Sequence, residues 1–162
     1  MAKDDADEVD ALIAAWSRLL PDVDPTPLEV MSRLRRVSIR LGRIRGGAFA
    51  TAGLVSWEFD VLAALRRADA PHELSPAQLI QRTMIGSAAM TNRISHLSER
   101  GYVEKQSNPR DGRGVLVRLT EEGRVRVDAA MTELIRREAL ALSVLSPADV
   151  AGLARVLRPL MG

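Results

Sequence analysis

Residues 75–120 decide the fold, and they read SPAQLIQRTMIGSAAMTNRISHLSERGYVEKQSNPRDGRGVLVRLT. The segment opens with Ser75 and a proline, and Gln78 stands three residues after the serine, which is the reciprocal capping arrangement that starts a helix. We therefore predict a helix from Pro76 to about Thr83, followed by a short turn that contains Gly86. A second helix is predicted over residues 86–100, and Gly101 is placed to end it.

The second predicted helix has two chemically different sides. Met90, Ile94 and Leu97 recur at helical spacing and predict a side that packs on a core. The opposite side carries small and hydrogen-bonding residues, namely Ala88, Ala89, Asn92, Ser95 and His96, flanked by Thr91 and Arg93. Small residues let a helix approach the floor of a DNA major groove, and Asn and Arg offer paired groups for adenine and guanine edges. The alternative is an ordinary amphipathic helix whose polar side meets water.

A basic hairpin is predicted directly after this helix. Residues 102–105 lead into the loop SNPRDGRG at 107–114, and β-branched and aliphatic residues follow at 115–119. Within residues 100–118 the acidic Glu104 and Asp111 are outnumbered by the basic residues Arg100, Lys105, Arg110, Arg113 and Arg118. Such a hairpin suits a phosphate backbone, and an arginine at its tip suits a minor groove. The alternative is a charged hairpin that only meets solvent.

Three short motifs occur together in and just after this segment. They are LSPAQL at 74–79, TNRI at 91–94 with the later Arg100 and Gly101, and the Asp-x-Arg of residues 111–113 followed by LTEEG at 119–123. Together they resemble the MarR-type winged-helix transcriptional regulators. The resemblance implies a mainly α fold with a small β-hairpin wing, which is a winged helix-turn-helix in a dimer built from N- and C-terminal helices.

The resemblance also assigns roles in the wing. In such proteins the wing aspartate orients the wing arginine, and the arginine contacts the minor groove, so these roles fall on Asp111 and Arg113. Many relatives have a second arginine where this chain has Gly112, which leaves this wing one charge poorer. From the helix and the wing together we predict DNA contacts at Ser87, Ala88, Thr91, Asn92, Arg93, His96, Arg110 and Arg113.

The remaining sequence predicts helices on either side of residues 75–120. Apolar residues from Val9 to Leu20 form one helical stripe, and a second helix is expected to start with a cap at Thr26 and to end at Gly46-Gly47. Hydroxyl residues are predicted to cap three later helices, at Ser56, Thr120 and Ser146.

These flanking helices predict a dimer. We interpret residues 1–162 as a single MarR-like unit, with a winged-helix DNA-binding lobe at 48–119 and a helical dimerisation region at 1–47 and 120–162. Apolar surface on helices outside the winged-helix core commonly marks an interface. The alternative is that these helices pack back on their own domain.

Composition and charge limit the classes of protein. The chain has 162 residues, no cysteine and a net charge of +2, so a disulfide framework, thiolate metal sites and a thiol oxidation switch are excluded. The acidic N-terminus and the lack of a long apolar run predict a cytoplasmic protein without a membrane segment. Only His72 and His96 are present and no catalytic motif is visible, so we expect neither an enzyme nor a metal site, and no cofactor.

A ligand site is predicted from a second resemblance. In the urate-responsive branch of the family, a tryptophan in an extra N-terminal helix and an aspartate in a Trp-x-x-Asp context help to line an anion pocket. This chain is similar in having Trp16 in such a helix and Asp60 in the run Ser56-Trp57-Glu58-Phe59-Asp60, and Arg93 is the motif arginine that carries over. The resemblance implies a small aromatic or phenolic anion as ligand. The alternative is that Trp16 is a core residue and that Asp60 caps or pairs with a neighbouring arginine.

The predicted function is that of a sequence-specific transcriptional regulator. We expect a homodimer that binds a palindromic operator in double-stranded DNA, represses transcription and is released by the anionic ligand. Two alternatives stay open from sequence alone. One is a DNA-binding protein of the same fold that responds to no ligand, and the other is a winged-helix module used for protein interaction.

Overall fold

The computed structural model of the protein describes residues 6–83, 86–108 and 114–161. The chain divides into two compact units, Met1–Arg43 and Ile44–Gly162. The first unit contains helix α1 (Glu8–Leu19) and most of helix α2 (Pro27–Thr51), which continues into the second unit. Predicted apolar periodicity accounts for both helices.

Within the first unit, charged side chains join α1 to α2. Asp7 caps α1 and forms a capping box with Asp10. Arg33 of α2 binds both carboxylates at 2.8 Å, and this hydrogen bond lowers the pKa of Asp7. The charge of Arg33 is therefore neutralised by the two acidic residues at the start of α1.

The second unit contains the remaining elements. They are α3 (Ser56–Arg66), β1 (Glu73–Leu74), α4 (Pro76–Thr83), α5 (Ser87–Glu99), β2 (Val103–Ser107), β3 (Val115–Leu119), α6 (Glu121–Leu142) and α7 (Pro147–Leu157), followed by a 3-10 turn at Arg158–Met161. The strands form one antiparallel sheet in the order β1-β3-β2. This is the mainly helical winged-helix architecture that the sequence predicted, with β1 as a third strand that it did not predict.

One apolar core holds the second unit together. Phe59 and Leu62 of α3, Leu79 of α4, Leu97 of α5 and Val117 of β3 are almost fully buried in it. Phe49 from the end of α2 stacks on Phe59 with ring centroids 4.0 Å apart. Packing against α3, α4, the end of α2 and the sheet therefore fixes the position of α5.

Local capping signals are confirmed at three helix starts. The Ser75 hydroxyl accepts from the N–H of Gln78, and the Gln78 side chain accepts in return from the N–H of Ser75 at 2.8 Å. Thr120 caps α6 by accepting from Gly123, and Ser146 caps α7 by accepting from Asp149.

Two other predicted boundaries are wrong. Helix α2 runs past Gly46-Gly47 to Thr51, because burial of Ala48 and Phe49 outweighs the helix cost of a glycine, about 1 kcal/mol each. Ser56 is the first residue of α3 rather than its cap, and the carboxylate of Glu58 binds the N–H of Val55 instead. Helix α2 begins at Pro27, directly after Thr26 as predicted, but the Thr26 hydroxyl donates to Asp24 at 2.6 Å.

Candidate nucleic-acid interface

Helix α5 is fixed in the core by the side that the sequence predicted. Met90, Ile94 and Leu97 are buried. The helix ends where Gly101 adopts a left-handed φ of 72°, a conformation that glycine reaches without steric cost. The opposite side of α5 is consequently held at the surface.

The predicted contact residues of α5 lie together on this surface. Ser87, Ala88, Thr91, Asn92 and His96 are exposed, and Arg93 is half-buried at the edge of the same surface. Gly86 is the N-cap and supplies no side-chain acceptor to the first turn. Among the described residues, the free N–H groups at this helix start are therefore available to an external anion such as a phosphate.

A small cluster connects α5 with the first turn of α3. The guanidinium carbon of Arg93 lies 5.1 Å from the centre of the Trp57 ring system, and the His96 ring lies 5.6 Å from it. His96 Nε2 is also 3.3 Å from Oε1 of Glu58. We call Trp57, Glu58, Arg93, His96 and Arg100 the α3–α5 cluster.

Glu58 is the buried charge of this cluster. Its side chain is only 1% exposed and forms an ion pair with Nη1 of Arg100, just beyond the end of α5. The hydrogen bond with Glu58 raises the pKa of Arg100, whose Nη2 also donates to the carbonyl of Gly53 and to the Tyr102 hydroxyl, each at 2.9 Å. Because the Glu58 carboxylate is paired with Arg100 and also accepts a backbone hydrogen bond, its burial is tolerated.

The hairpin of β2 and β3 forms as predicted, except that Ser107 belongs to β2 and not to the loop. Val103 pairs with Leu119 and Ser107 with Val115, and the N–H of Asn108 donates to the carbonyl of Gly114 at 2.8 Å. Two predicted wing residues, Arg110 and Arg113, and the orienting residue Asp111 lie outside the described residues. Their roles stay predictions.

Two of the basic residues counted toward the wing have structural partners. Arg118 binds Glu73 of β1 at 2.8 Å, across the sheet, and Arg100 belongs to the α3–α5 cluster. The sequence could not show this, because both carboxylates lie outside residues 100–118. Lys105 donates to the Ser95 hydroxyl at 3.0 Å and ties the wing to α5.

The predicted ligand residues fall at separate places. Trp16 is 46% exposed and lines an apolar cavity of about 420 Å³ in the first unit, so the interpretation of Trp16 as a core residue is wrong. Asp60 lines a cavity of about 480 Å³ in the second unit. Arg93 is not among the residues that line the Asp60 cavity, since it packs on Trp57.

The Asp60 cavity contains arginines that sequence reasoning missed. Its charged lining residues are Arg45, Asp60, Arg67, Arg82 and Glu138. Arg45 is paired with Glu138 at 3.3 Å, whereas the side chains of Asp60, Arg67 and Arg82 have no hydrogen bond or ion pair with any other described residue. Because residues seven apart in a helix share a face, the spacing of Asp60 and Arg67 could have identified one of these arginines.

The described residues hold no group of three or more metal-ligating side chains. His72 is held in a turn with a φ of 60°, and its Nδ1 lies 2.7 Å from the carbonyl oxygen of Ala68. Over the same described ranges no single helix is long and apolar enough to cross a membrane, although α2 with α3 and α6 with the C-terminal helices reach that length and composition as bent pairs.

Comparison with known proteins shows the family. A sequence model of the MarR family matches residues 52–114. The HTH-type transcriptional regulator PecS of Dickeya dadantii is 33% identical over 140 residues, which cover 86% of this chain and 82% of PecS. The chain therefore belongs to the MarR family of winged-helix transcriptional regulators.

Solved structures agree with this assignment. BpsR of Bordetella bronchiseptica, whose DNA binding is regulated by 6-hydroxynicotinic acid, is 27% identical with a TM-score of 0.67, over 82% of this chain and 92% of BpsR. A variant of Escherichia coli MarR in complex with operator DNA is 22% identical with a TM-score of 0.70, over 91% of this chain and 98% of that chain, and it shares the fold.

Proposed function

We propose that this MarR-family protein is a sequence-specific DNA-binding repressor that acts as a homodimer in the cytoplasm. The observation that carries the proposal is the exposed side of α5, where hydrogen-bonding residues surround a helix start whose N–H groups have no side-chain cap among the described residues. The MarR variant that was solved in complex with operator DNA has the same fold, which supports DNA binding as the function.

The residues on this surface divide into two kinds of DNA contact. Asn92 and Arg93 have the paired donors and acceptors that read adenine and guanine edges, and Thr91 and His96 lie beside them. Ser87 and Ala88 stand in the first turn, where the helix backbone itself can approach a phosphate. In the wing, Arg113 would enter the minor groove, held by Asp111, with Arg110 on the backbone.

Exposed apolar residues at both ends of the chain support the homodimer. They include Leu19, Val30 and Met31 in α1 and α2, and Leu153, Val156 and Leu160 at the C-terminus. In α7 none of the residues is buried. A helix with this composition is stabilised when a second copy of the chain covers its apolar side. In such a dimer the two α5 helices would be related by symmetry and would match a palindromic operator.

The Asp60 cavity supports release from DNA by an aromatic anion. Arg67 and Arg82 supply positive charge without a protein partner among the described residues, and Phe59, Met131 and Leu134 supply an apolar wall. Asp60 would accept a hydrogen bond from an N–H or O–H of the ligand. Trp16 and Arg93 stay predictions as further ligand contacts, because neither lines this cavity.

The regulation of BpsR by 6-hydroxynicotinic acid supports this ligand class, because that compound is an aromatic acid with a ring hydroxyl. The dimer would have one form that can span two half-sites and one that cannot. A ligand that binds the second form more tightly than the first would weaken DNA binding, and the size of the effect would equal the difference between its two affinities.

The proposal is tested by selecting duplexes from a random library with the purified full chain and measuring affinity for the selected duplex at several salt concentrations. We expect one enriched sequence and a steep loss of affinity with salt. A winged-helix protein-interaction module would enrich no sequence, and this result would contradict the proposal.

The ligand part is tested on the same complex with 6-hydroxynicotinate and urate, using nicotinamide as an uncharged control. Release by either anion, with a higher concentration required for Arg82→Gln, is the expected result. No release by any of them at millimolar concentration would favour the ligand-independent DNA-binding protein.

A further inference from the structure

Trp57 lies against two side chains that were assigned to DNA binding, although it belongs to another helix. It is in the first turn of α3 and packs against the core with its side chain half-buried. Arg93 and His96 of α5 both contact its ring system. On α5 these two residues are three positions apart, so they share one side of the helix.

The contact leaves Arg93 with its hydrogen-bonding groups unused. A guanidinium packed over an aromatic ring is attracted through its face and keeps its N–H groups at the edge. Arg93 has no hydrogen bond or ion pair with the other described residues. Its side chain is therefore held by the ring, while its donors stay available to a base or a phosphate.

The position of Trp57 is itself fixed by its neighbour in sequence. Glu58 binds the N–H of Val55 at 2.9 Å, which closes the start of α3, and pairs with Arg100 at the end of α5. The same carboxylate lies 3.3 Å from His96. These contacts attach the first turn of α3, which carries Trp57, to α5 at two points, Arg100 and His96.

We propose that Trp57 is a positioning residue for DNA recognition. It holds the side chains of Arg93 and His96 in place on α5 before DNA binds. A flexible arginine loses side-chain freedom on binding, and prior ordering reduces this loss. Trp57 then contributes to the affinity for the recognised sequence without contacting DNA. The inference rests on the proposed function, because it requires Arg93 and His96 to contact DNA.

A double-mutant cycle on the full-length protein tests this inference. Trp57→Leu is compared with the wild type, and again in a background that carries Arg93→Ala and His96→Ala, using the duplex selected from the random library. We expect Trp57→Leu to weaken binding about fivefold in the wild type and less than about twofold in the double background. Trp57→Phe, which keeps a ring for the guanidinium, should recover most of the loss.

Folding is controlled by thermal unfolding of every variant, with affinities measured where each variant is folded. If Trp57→Leu does not fold, the cycle is run with Trp57→Phe, for which the expected loss is about twofold in the wild type and absent in the double background. Equal losses in both backgrounds would show that Trp57 only supports the fold, and would overturn the inference while the wild type still selects a duplex. A wild type that selects no duplex would contradict the proposed function together with the inference.

Discussion

Glu58 shows how one buried carboxylate can hold in place the surface that is proposed to bind DNA. It is buried, yet it binds a backbone N–H in its own helix turn and an arginine at the end of α5. Removing only one partner of such a pair leaves a buried charge without compensation, which costs more than the pair contributes when it is intact. The orientation of α5 therefore depends on residues outside the predicted DNA contacts.

Arg100→Ala is expected to lower the free energy of unfolding by about 3 kcal/mol, because it leaves the Glu58 carboxylate buried without its cation. Adding Glu58→Gln to this variant should recover part of the loss, since the remaining buried group is then uncharged. Denaturant unfolding of the three proteins measures both effects. A double variant less stable than Arg100→Ala alone would show that Glu58 is tolerated for another reason.

The wing arginine has a separate prediction at the same scale. Arg113→Ala should reduce the slope of log affinity against log salt by about one, because one fewer counterion is released from DNA. Arg136→Ala removes the same charge from an exposed ion pair with Glu133 on α6 and serves as the matched control. Salt titrations that give both variants the wild-type slope would remove Arg113 from the DNA contacts.

Among the elements, α6 explains a glycine of the family motif. Gly123, in the first turn of α6, lies so close to the carbonyl of Tyr102 that a Cβ atom would collide with that backbone and with Leu119. The glycine of the LTEEG sequence therefore permits the close packing of the start of α6 against Tyr102 and Leu119. By contrast, a Cβ atom at Gly46 in the interior of α2 would meet no atom within 4 Å among the described residues.

Gly123→Ala should consequently destabilise the protein by about 1–3 kcal/mol, although alanine favours helix more than glycine does. Gly46→Ala is the control, and it is expected to be neutral or to stabilise by up to about 1 kcal/mol. Thermal unfolding at one pH compares the two. Equal effects would mean that the contact of α6 with Tyr102 yields easily.

Helix α6 is also joined to α3 by a carboxylate with a depressed pKa. The hydrogen bond from Arg66 lowers the pKa of Asp128, with Nε of Arg66 at 2.9 Å from the carboxylate. This contribution to stability is present above the pKa of the unfolded chain and is lost as the pH falls through the folded value. Asp128→Asn should be less stable than the wild type at pH 7, and the difference should vanish in strong acid. A difference that is independent of pH would contradict the role of the charge.

The sequence predicted elements best where the signal was local, although the predicted cap at Ser56 was wrong. The caps of α4, α6 and α7 and the buried side of α5 depend on residues within one or two turns, and they are confirmed. The predicted end of α2 at Gly46-Gly47 was wrong, because burial of Phe49 in a core built from distant residues outweighs the low helix propensity of the two glycines. The cavity arginines were missed because Arg45, Arg67 and Arg82 come from three separate parts of the chain.

For the whole molecule, charge and the proposed two-fold symmetry limit what it can bind. The net charge of +2 is small, and pairs such as Arg33 with Asp7 and Arg118 with Glu73 neutralise much of the basic content. Affinity for DNA would then depend on α5 and the wing rather than on overall charge. Two such surfaces in a symmetric dimer would read two half-sites, which gives the spacing of the operator as a geometric prediction.

The most direct test of the central claim is a footprint of the full-length protein on its selected duplex, with the number of chains bound measured on the same complex. We predict two protected half-sites related by a two-fold axis, with centres about 10 base pairs apart and two chains per site. A single asymmetric protected region occupied by one chain, or no protection of any duplex, would contradict the account.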